Sequence, residues 1–503
     1  MHRSKPIDGE LLKLKDEIQQ YAVECGLEFD EVIFEVCDYQ SINILAAQGG
    51  FPNRYPHWRF GMDYDQLSKG YTYGLQKIYE MVINSKPCYA YLFNANHFVD
   101  QKIVMAHVYG HADFFRNNYW FKGTNKNMMD VMANHGTKIR RYMDRYGQDK
   151  IENFIDKVLS LENLLDPNVL FESPEQDRRR REQIVQEKRE LASDQDDERS
   201  KALKSYMNSK IDKSEAPATT DLDLEEKIDH QALNPSDLPT RDIMKFMLGY
   251  APLEDWQADI IGILREEAYY FLPQRMTKIM NEGWASYWHS TIMTQRAVRA
   301  SEIVDFADHH AGVMAMSRKQ INPYKIGIEL FRDIEYRWDT GRFGKEYQDC
   351  EDMTVKANWD KDTGLGKKKI FEIRKTHNDI TFIDEFFTQE FCERQQLFTY
   401  NFNPRSGRYE IDGREFQAIK AKLLAQLTNF GVPVIEVESS NHANRGEILL
   451  RHIHQGVDLD LTYAADTMKN IFALWKRPVN LVTTVEGKEL FYQHDGIEFK
   501  PVA

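Results

Sequence analysis

The sequence predicts an α+β protein in which a large, mostly helical N-terminal and central domain precedes a small C-terminal α+β domain. Apolar residues recur at helical spacing in ELLKLKDEIQQYAVECGL (10–27) and YGLQKIYEMVINS (73–85), which predicts helices there. From about residue 370 the pattern changes to short alternating segments, of which EILLRHIHQ and ELFYQHDGIEFK predict strands. The 503 residues are enough for two or three domains with a sizeable core.

Changes in composition divide the chain into four segments. Residues 1–171 and 241–369 are predicted to be helical and to form one domain, the first carrying HVYGH and the second NEGWASYWH. Residues 172–240 are highly charged with almost no aromatic side chains, which predicts a solvated, flexible insertion. Its run of arginines can bind an acidic partner, although such runs are more often simply solvated. Residues 370–503 form the predicted C-terminal α+β domain.

Charge, hydropathy and cysteine content argue against several classes of protein. The formal net charge of −14 is unfavourable for general nucleic-acid binding. The first residues have no apolar core of signal-peptide length, and the apolar runs are too short to cross a bilayer, so we predict no membrane insertion. Scattered cysteines without CxxC spacing favour reduced thiols and a cytoplasmic protein: Cys25, Cys37, Cys88, Cys350 and Cys392.

The segment MAHVYGHADFF holds two histidines four residues apart, His107 and His111. On a helix such residues share a face, so both rings can reach one metal ion. The same spacing holds the metal in the H-E-x-x-H motif of zinc peptidases, but here Val108 occupies the position of the glutamate base. Gly110 between the histidines allows a neighbouring backbone or a ligand to approach closely. The alternative is two packed core histidines without a metal.

The segment NEGWASYWH places a carboxylate on a second predicted helix. Glu282 and His289 are seven residues apart and therefore share a helical face. The aromatic residues between them, Trp284, Tyr287 and Trp288, are predicted to pack in the core. A carboxylate among tryptophans needs a partner, because burying an unpaired charge is costly. A metal ion, an arginine or a protonated histidine would each serve.

Other histidines lie in helical or loop contexts. His135 precedes Gly136 at a predicted helix end, and it is either a metal ligand or a helix cap. His309 follows Asp305 by four residues, which suits a metal ligand with its orienting carboxylate and equally a surface ion pair. His57 in RYPHWRFG either lines a pocket or packs. The chain has no GxSxG, P-loop or GxGxxG motif, which argues against the chemistries that use them.

Three long segments resemble the SpoVR family, named for stage V sporulation protein R: MAHVYGHADFFRNN, PLEDWQADIIGILREEAYYFLPQRMTKIMNEGWASYWH and NPYKIGIELFRDIEYRWD. The resemblance extends over nearly the whole chain, with the charged insertion as its variable part. It implies a role in forming the spore cortex, a peptidoglycan layer, or in stationary-phase stress, because family members also occur in bacteria that never sporulate. It also implies two partners, a serine kinase with an AAA+ module and a von Willebrand-like protein.

EGWASY also resembles the helix that supplies the third metal ligand in some gluzincin metallopeptidases. This resemblance implies a zincin-like fold for the large domain. It implies that His107, His111 and Glu282 hold a divalent metal ion, expected to be zinc. His135 and His289 are candidates to assist or to replace one of these ligands.

Val108 departs from the gluzincin pattern, because a valine can neither accept a proton from water nor orient the water. The base must then come from elsewhere, and the candidates by composition are Glu266, Glu267 and Asp113, with His289 assisting. The first hypothesis is a metal-dependent hydrolase of peptide or amide bonds in a cell-wall-related substrate. The second is a non-catalytic, zincin-like regulatory partner of the kinase complex. The third is a binding module without a metal.

Overall fold

The computed structural model describes residues 4–72, 80–171, 240–314, 322–403 and 407–502. It confirms an α+β protein in which helices predominate. The charged segment predicted to be an insertion, 172–240, lies outside the described residues apart from Thr240. Within the described ranges, no helix combines the length and the apolar character needed to span a membrane.

The helices account for most of the described chain. The first are α1 (Gly9–Glu24), α2 (Tyr39–Ala47), α3 (Trp58–Thr72), α4 (Phe98–Asn117), α5 (Met128–Tyr146) and α6 (Gln148–Leu159). Next come α7 (Ile243–Tyr250), α8 (Asp255–Met276), α9 (Lys278–Ile292), α10 (Ile303–Val313) and α11 (Pro323–Asp339). The last are α12 (Gly344–Gln348), α13 (Met353–Ala357), α14 (Gly366–Thr376), α15 (Asp379–Phe386), α16 (Gln389–Arg394), α17 (Phe416–Leu427) and α18 (Leu461–Trp475). The helix predicted over 10–27 is confirmed as α1.

A four-stranded sheet lies in the N-terminal part of the chain, where mostly helices were predicted. Its strands are β1 (Ser4–Pro6), β2 (Val32–Cys37), β3 (Glu80–Ile83) and β4 (Cys88–Phe93), in the order β1-β2-β4-β3. β2 and β4 are parallel, and β1 and β3 pair antiparallel at the two edges. The predicted helix over 73–85 is therefore wrong for Glu80–Ile83, and its first part lies outside the described residues.

The C-terminal strands form two further sheets. β5 (Thr399–Asn403) pairs antiparallel with β6 (Arg408–Gly413). The larger sheet has the order β11-β10-β9-β8-β7 and consists of β7 (Ile435–His442), β8 (Glu447–His452), β9 (Val479–Val485), β10 (Lys488–His494) and β11 (Phe499–Val502). β8 and β9 are parallel with α18 between them in the chain, and the other neighbours are antiparallel. The strands predicted in EILLRHIHQ and ELFYQHDGIEFK are thus confirmed.

The chain divides into two compact units. The first combines residues 1–156 with 263–432, and the second combines 157–262 with 433–503. Residues 370–432, assigned above to the C-terminal domain, group here with the first unit. The second unit contains the five-stranded sheet and α18.

Two close helix crossings occur in the first unit, where α9 packs against both α4 and α11. A Cβ atom at Gly110 of α4 would lie 2.6 Å from the Cα atom of Ala285 in α9. A Cβ atom at Gly283 of α9 would lie 2.4 Å from the Cα atom of Gly327 in α11. The predicted role of Gly110, to allow a close approach, is confirmed. These crossings bring the side chains of α4 and α9 together.

We expect Gly283→Ala to destabilise the protein by about 1–3 kcal/mol, because the new methyl group meets the backbone of Gly327 and the helices must separate. Urea unfolding measures this change in the free energy of unfolding. Gly262→Ala in α8 is the matched control, because a Cβ atom there would meet nothing within 4 Å. Helix propensity should make that control slightly more stable than the wild type. Equal stabilities of the two variants would contradict the close crossing.

Candidate metal centre

The two histidines of HVYGH lie on α4, whose residues between Val99 and Phe115 are almost all buried. A helix that is buried on all its faces is typical of the centre of a domain. His107 is 4% exposed and His111 is 6% exposed. Both imidazoles are therefore shielded from solvent, where a polar group requires a partner.

The helix that carries Glu282 is held at its N-terminus by a distant carboxylate. Thr277 precedes α9 and provides no side-chain cap. Instead Asp379, from α15, accepts hydrogen bonds from the backbone N–H groups of Ile279 (2.8 Å) and Met280 (2.9 Å). Burial raises the pKa of Asp379 to about 7. The hydrogen bonds satisfy N–H groups that a helix cannot pair internally, so the first turn of α9 is fixed in place.

Glu282 lies opposite the two histidines at equal distances. Its Oε2 atom is 3.5 Å from Nε2 of His107 and 3.5 Å from Nε2 of His111. Ligand atoms about 2.0–2.1 Å from a tetrahedral zinc ion are themselves about 3.3–3.4 Å apart. We looked in the described part of the chain for three or more histidine, cysteine, aspartate or glutamate side chains whose ligand atoms lie within 4.8 Å of one another. His107, His111 and Glu282 form such a group.

The residues of this group fit a divalent metal ion. The Oε2 atom of Glu282 is buried, and no hydrogen bond of normal geometry reaches it from the described residues. An unsatisfied buried carboxylate oxygen is costly, and a cation between the three side chains would remove that cost. Two histidines with one glutamate are also a ligand set found in catalytic zinc sites.

The protonation states favour metal binding near neutral pH. Burial and the neighbouring His107 lower the pKa of His111 to about 4, so its ring is neutral and keeps a lone pair for a metal. Burial alone would raise the pKa of Glu282, but the contacts with His107 and His111 outweigh it and leave that pKa below its ordinary value. The carboxylate is therefore ionised. The group therefore offers the neutral Nε2 atom of His111 and a negative oxygen atom of Glu282.

Further side chains contact the three candidate ligands. Nδ1 of His111 is 2.9 Å from Oδ1 of Asn281, and Nδ1 of His107 is 2.9 Å from Nδ1 of His289. A hydrogen bond at Nδ1 leaves Nε2 of the same ring for the metal. Tyr324 lies with its ring centroid 6.1 Å from that of His107, and its hydroxyl hydrogen bond helps to lower the pKa of Glu282. Each candidate ligand therefore has an orienting neighbour.

Comparison with known proteins agrees with the resemblance noted in the sequence. The family description "SpoVR like protein" matches residues 8–432, and "SpoVR-like C-terminal domain" matches residues 433–486. The chain belongs to the SpoVR family. A similar protein of Escherichia coli (strain K12), named "Uncharacterized protein YcgB", is 29% identical over 466 residues, which are 88% of this chain and 85% of that protein. No solved structure matches the SpoVR chain.

The SpoVR chain places Val108 in the hydrophobic core, where it is fully buried. Of the candidate catalytic residues, His289 contacts a candidate metal ligand, as described above. Asp113 instead accepts hydrogen bonds from Nε1 of Trp284 (2.8 Å) and from the backbone N–H of Glu28 (2.8 Å), and lies 3.4 Å from Nε of Arg374. Burial raises the pKa of Asp113 to about 6. Asp113 therefore forms a buried ion pair with Arg374.

Glu266 and Glu267 lie with His135 in a separate cluster of the SpoVR chain. Nε2 of His135 is 3.3 Å from Glu266, and its Nδ1 is 3.3 Å from Glu267. Arg54 forms a buried ion pair with Glu267. The prediction that a helix ends near Gly136 is wrong, because α5 continues to Tyr146. His135 therefore sits within a helix, between two carboxylates.

His309 pairs with Asp100 of α4, while the carboxylate predicted to orient it was Asp305. The next residue, His310, has its Nδ1 atom 3.3 Å from Nε2 of His289. Sequence reasoning missed His310, as well as Asn281 and Tyr324 described above. Asn281 directly precedes Glu282 in NEGWASYWH, so the motif itself contained that signal. His310 and Tyr324 lie outside both motifs in the sequence, and only the fold brings them to the site.

Acidification should destabilise the metal-free SpoVR protein through His111. Its folded-state pKa, about 4, lies below the ordinary value of 6.5. The neutral ring therefore contributes stability that is complete above pH 6.5 and is lost as the pH falls toward 4, by a few kcal/mol. Urea unfolding of chelator-treated protein across this pH range measures the loss. His111→Gln should lose less stability over the same range, and an equal loss would contradict the assignment.

Proposed function

We propose that His107, His111 and Glu282 bind one divalent metal ion, zinc by the nature of the ligands, and that the protein is a metal-dependent hydrolase of peptide or amide bonds. The observation that carries the proposal is the position of the Glu282 Oε2 atom, 3.5 Å from Nε2 of both histidines. Three protein ligands leave a coordination position for water or substrate, as catalytic zinc sites require.

The side chains around the centre define what the protein itself contributes. A divalent ion held there would polarise a carbonyl group and lower the pKa of a bound water to about 7. His107 and His111 would supply nitrogen ligands, and Glu282 would supply the negative charge. Tyr324 orients the Glu282 carboxylate through its hydroxyl group. Because a bound metal ion would acidify water, hydrolysis would remain possible although Val108 occupies the position of the glutamate base.

The substrate class follows from the family rather than from the geometry. The SpoVR name refers to sporulation, and the spore cortex is a peptidoglycan layer that contains peptide and amide bonds. We therefore propose a cell-wall-related amide, in spore formation or in stationary-phase stress, as the substrate.

A second candidate function is supported by Val108. Val108 is fully buried among apolar side chains. This position therefore provides no general base to the candidate metal centre. Glu266, Glu267 and Asp113 are engaged in other ion pairs of the described residues. A zincin-like centre without a base would then serve as a non-catalytic regulatory partner of the serine kinase with its AAA+ module and the von Willebrand-like protein.

Metal content tests the first half of the proposal. We expect about one zinc per chain in protein purified under metal-replete conditions and measured by elemental analysis. His107→Ala should lose this metal. His454→Ala should keep it, because His454 lies in the second unit and pairs with Asp458. Wild-type protein without a stoichiometric metal would refute the metal centre.

Turnover separates the enzyme from the regulatory partner. Purified peptidoglycan fragments and unrelated peptides are incubated with wild type and with Glu282→Gln, and released amines are quantified. The hydrolase proposal expects release by wild type and none by the variant. A zinc-loaded wild type that releases nothing from either substrate favours the regulatory partner.

A further inference from the structure

We propose that His289 and His310 extend the metal centre, and that metal binding reverses the direction of the hydrogen bonds along the three rings His107, His289 and His310. The inference rests on the proposed metal site. It makes His289 a positioning residue, which acts through His107 and does not itself contact the substrate or the metal.

The three rings form a continuous chain of nitrogen contacts. Nδ1 of His107 is 2.9 Å from Nδ1 of His289, and Nε2 of His289 is 3.3 Å from Nδ1 of His310. His289 is 3% exposed, whereas His310 is only partly buried. The ring centroids are 5.1 Å and 5.5 Å apart, with interplanar angles of 44° and 80°. These tilted arrangements point nitrogen atoms at one another and do not stack the ring faces.

A metal ion at His107 fixes one direction for the chain. If Nε2 of His107 gives its lone pair to the metal, the ring hydrogen must sit on Nδ1 and point at His289. Nδ1 of His289 must then accept, so the hydrogen of His289 sits on Nε2 and points at His310. Nδ1 of His310 accepts in turn, and its hydrogen sits on Nε2.

Without a metal ion, Glu282 favours the opposite direction. A hydrogen on Nε2 of His107 then faces the Glu282 Oε2 atom, 3.5 Å away. Nδ1 of His107 accepts from Nδ1 of His289, and Nε2 of His289 accepts from Nδ1 of His310. Each neutral ring carries one hydrogen in both arrangements, so the reversal needs no change of net charge. On metal binding Nε2 of His107 would lose its proton to solvent, and one proton would pass from His289 to Nδ1 of His107 and one from His310 to Nε2 of His289. Nε2 of His310 would then take one proton from solvent, so that each ring again carries one hydrogen.

The side chains around His289 determine whether its hydrogen is fixed on one ring nitrogen. The described residues place no carboxylate in hydrogen-bond or ion-pair contact with His289. Burial, followed by the neighbouring His107 and His310, holds the pKa of His289 well below its ordinary value. At His310 burial and the cations Arg332 and Lys325 lower the pKa, and Glu329 only partly opposes them. Because no carboxylate fixes the hydrogen of His289, the donor and acceptor atoms of that ring can exchange.

Two substitutions of equal size test the positioning role. In His289→Asn the Oδ1 atom can occupy the place of Nδ1 and still accept from His107, whereas His289→Leu has no acceptor. We expect His289→Leu to weaken zinc binding about 10–100-fold, measured by competition with a chromophoric chelator. His289→Asn should stay within about threefold of the wild type. Circular dichroism and thermal melting show that each variant is folded.

Spectroscopy of histidines labelled with nitrogen-15 tests the reversal itself. On addition of zinc, the hydrogen of His310 should move from Nδ1 to Nε2, with its signal assigned from a His310→Gln spectrum. His309, the adjacent residue, pairs with Asp100 outside the chain of rings and should not change. In His289→Leu the zinc-dependent change at His310 should disappear.

The possible results separate this inference from the proposed function. If wild type binds no zinc, the proposed centre fails and the inference fails with it. If wild type binds zinc but His289→Leu binds it equally tightly, or His310 keeps its hydrogen on Nδ1, the inference fails and the metal centre stands. If His289→Asn is as weak as His289→Leu, the role of His289 is packing and the inference is again refuted.

Discussion

Glu282→Gln should lower zinc affinity by about two orders of magnitude. Structural zinc sites bind with about 10–16 kcal/mol shared by four ligands, so one ligand accounts for on the order of 3 kcal/mol. The amide keeps the size of the glutamate but lacks its negative charge, and the metal then meets only neutral ligands. The measurement is a zinc titration against a chromophoric chelator, with thermal melting before and after zinc addition. Zinc should raise the melting temperature of the wild type but not that of the variant.

The same experiment has a matched control in Glu266→Gln. Glu266 is also a carboxylate in contact with a histidine, but it belongs to the separate His135 cluster. Its variant should bind zinc as the wild type does. Equal zinc affinity of Glu282→Gln and the wild type would refute Glu282 as a ligand.

Asp113→Ala should destabilise the protein by about 3–5 kcal/mol, because it leaves the buried guanidinium of Arg374 without its carboxylate partner. Both side chains are almost fully buried, and burial already lowers the pKa of Arg374. Trp284 and the backbone of Glu28 also lose their hydrogen-bond acceptor. Urea unfolding above pH 7 measures the loss, since the pKa of Asp113 is about 6.

A double variant shows whether the loss comes from the ion pair. Asp113→Ala combined with Arg374→Met removes both charges and should recover much of the lost stability. A result in which Asp113→Ala keeps wild-type stability but loses turnover would instead support Asp113 as a catalytic base. Zinc content should be unchanged in the folded fraction of either variant.

The helices were predictable where their apolar residues repeat strongly, as in α1, and the N-terminal sheet was not. β2 and β4 are short, and the parallel pairing between them joins segments that are distant in the sequence. Local periodicity contains no information about such a pairing. β8 differs, because it lies within EILLRHIHQ, a segment whose alternating pattern predicted a strand.

The three candidate ligands were predictable because their spacing and residue types are local features of two helices. Their surroundings were not, since they depend on where the helices cross. Gly110 could be assigned a close approach from sequence, but Ala285 as its neighbour could not. The contacts of Tyr324 and His310 arise from helices that follow α9, and no spacing rule connects them to HVYGH.

The candidate ligands come from both sides of the charged segment, His107 and His111 before it and Glu282 after it. A metal ion bound by all three would act as a reversible cross-link that closes a loop containing that entire segment. The unfolded chain would not hold the ion, so binding would stabilise the folded protein by mass action, by about 2.7 kcal/mol at a free zinc concentration 100 times the Kd. The lifetime of the protein against proteolysis would then follow the zinc supply of the cell, because metal-starved chains open more often.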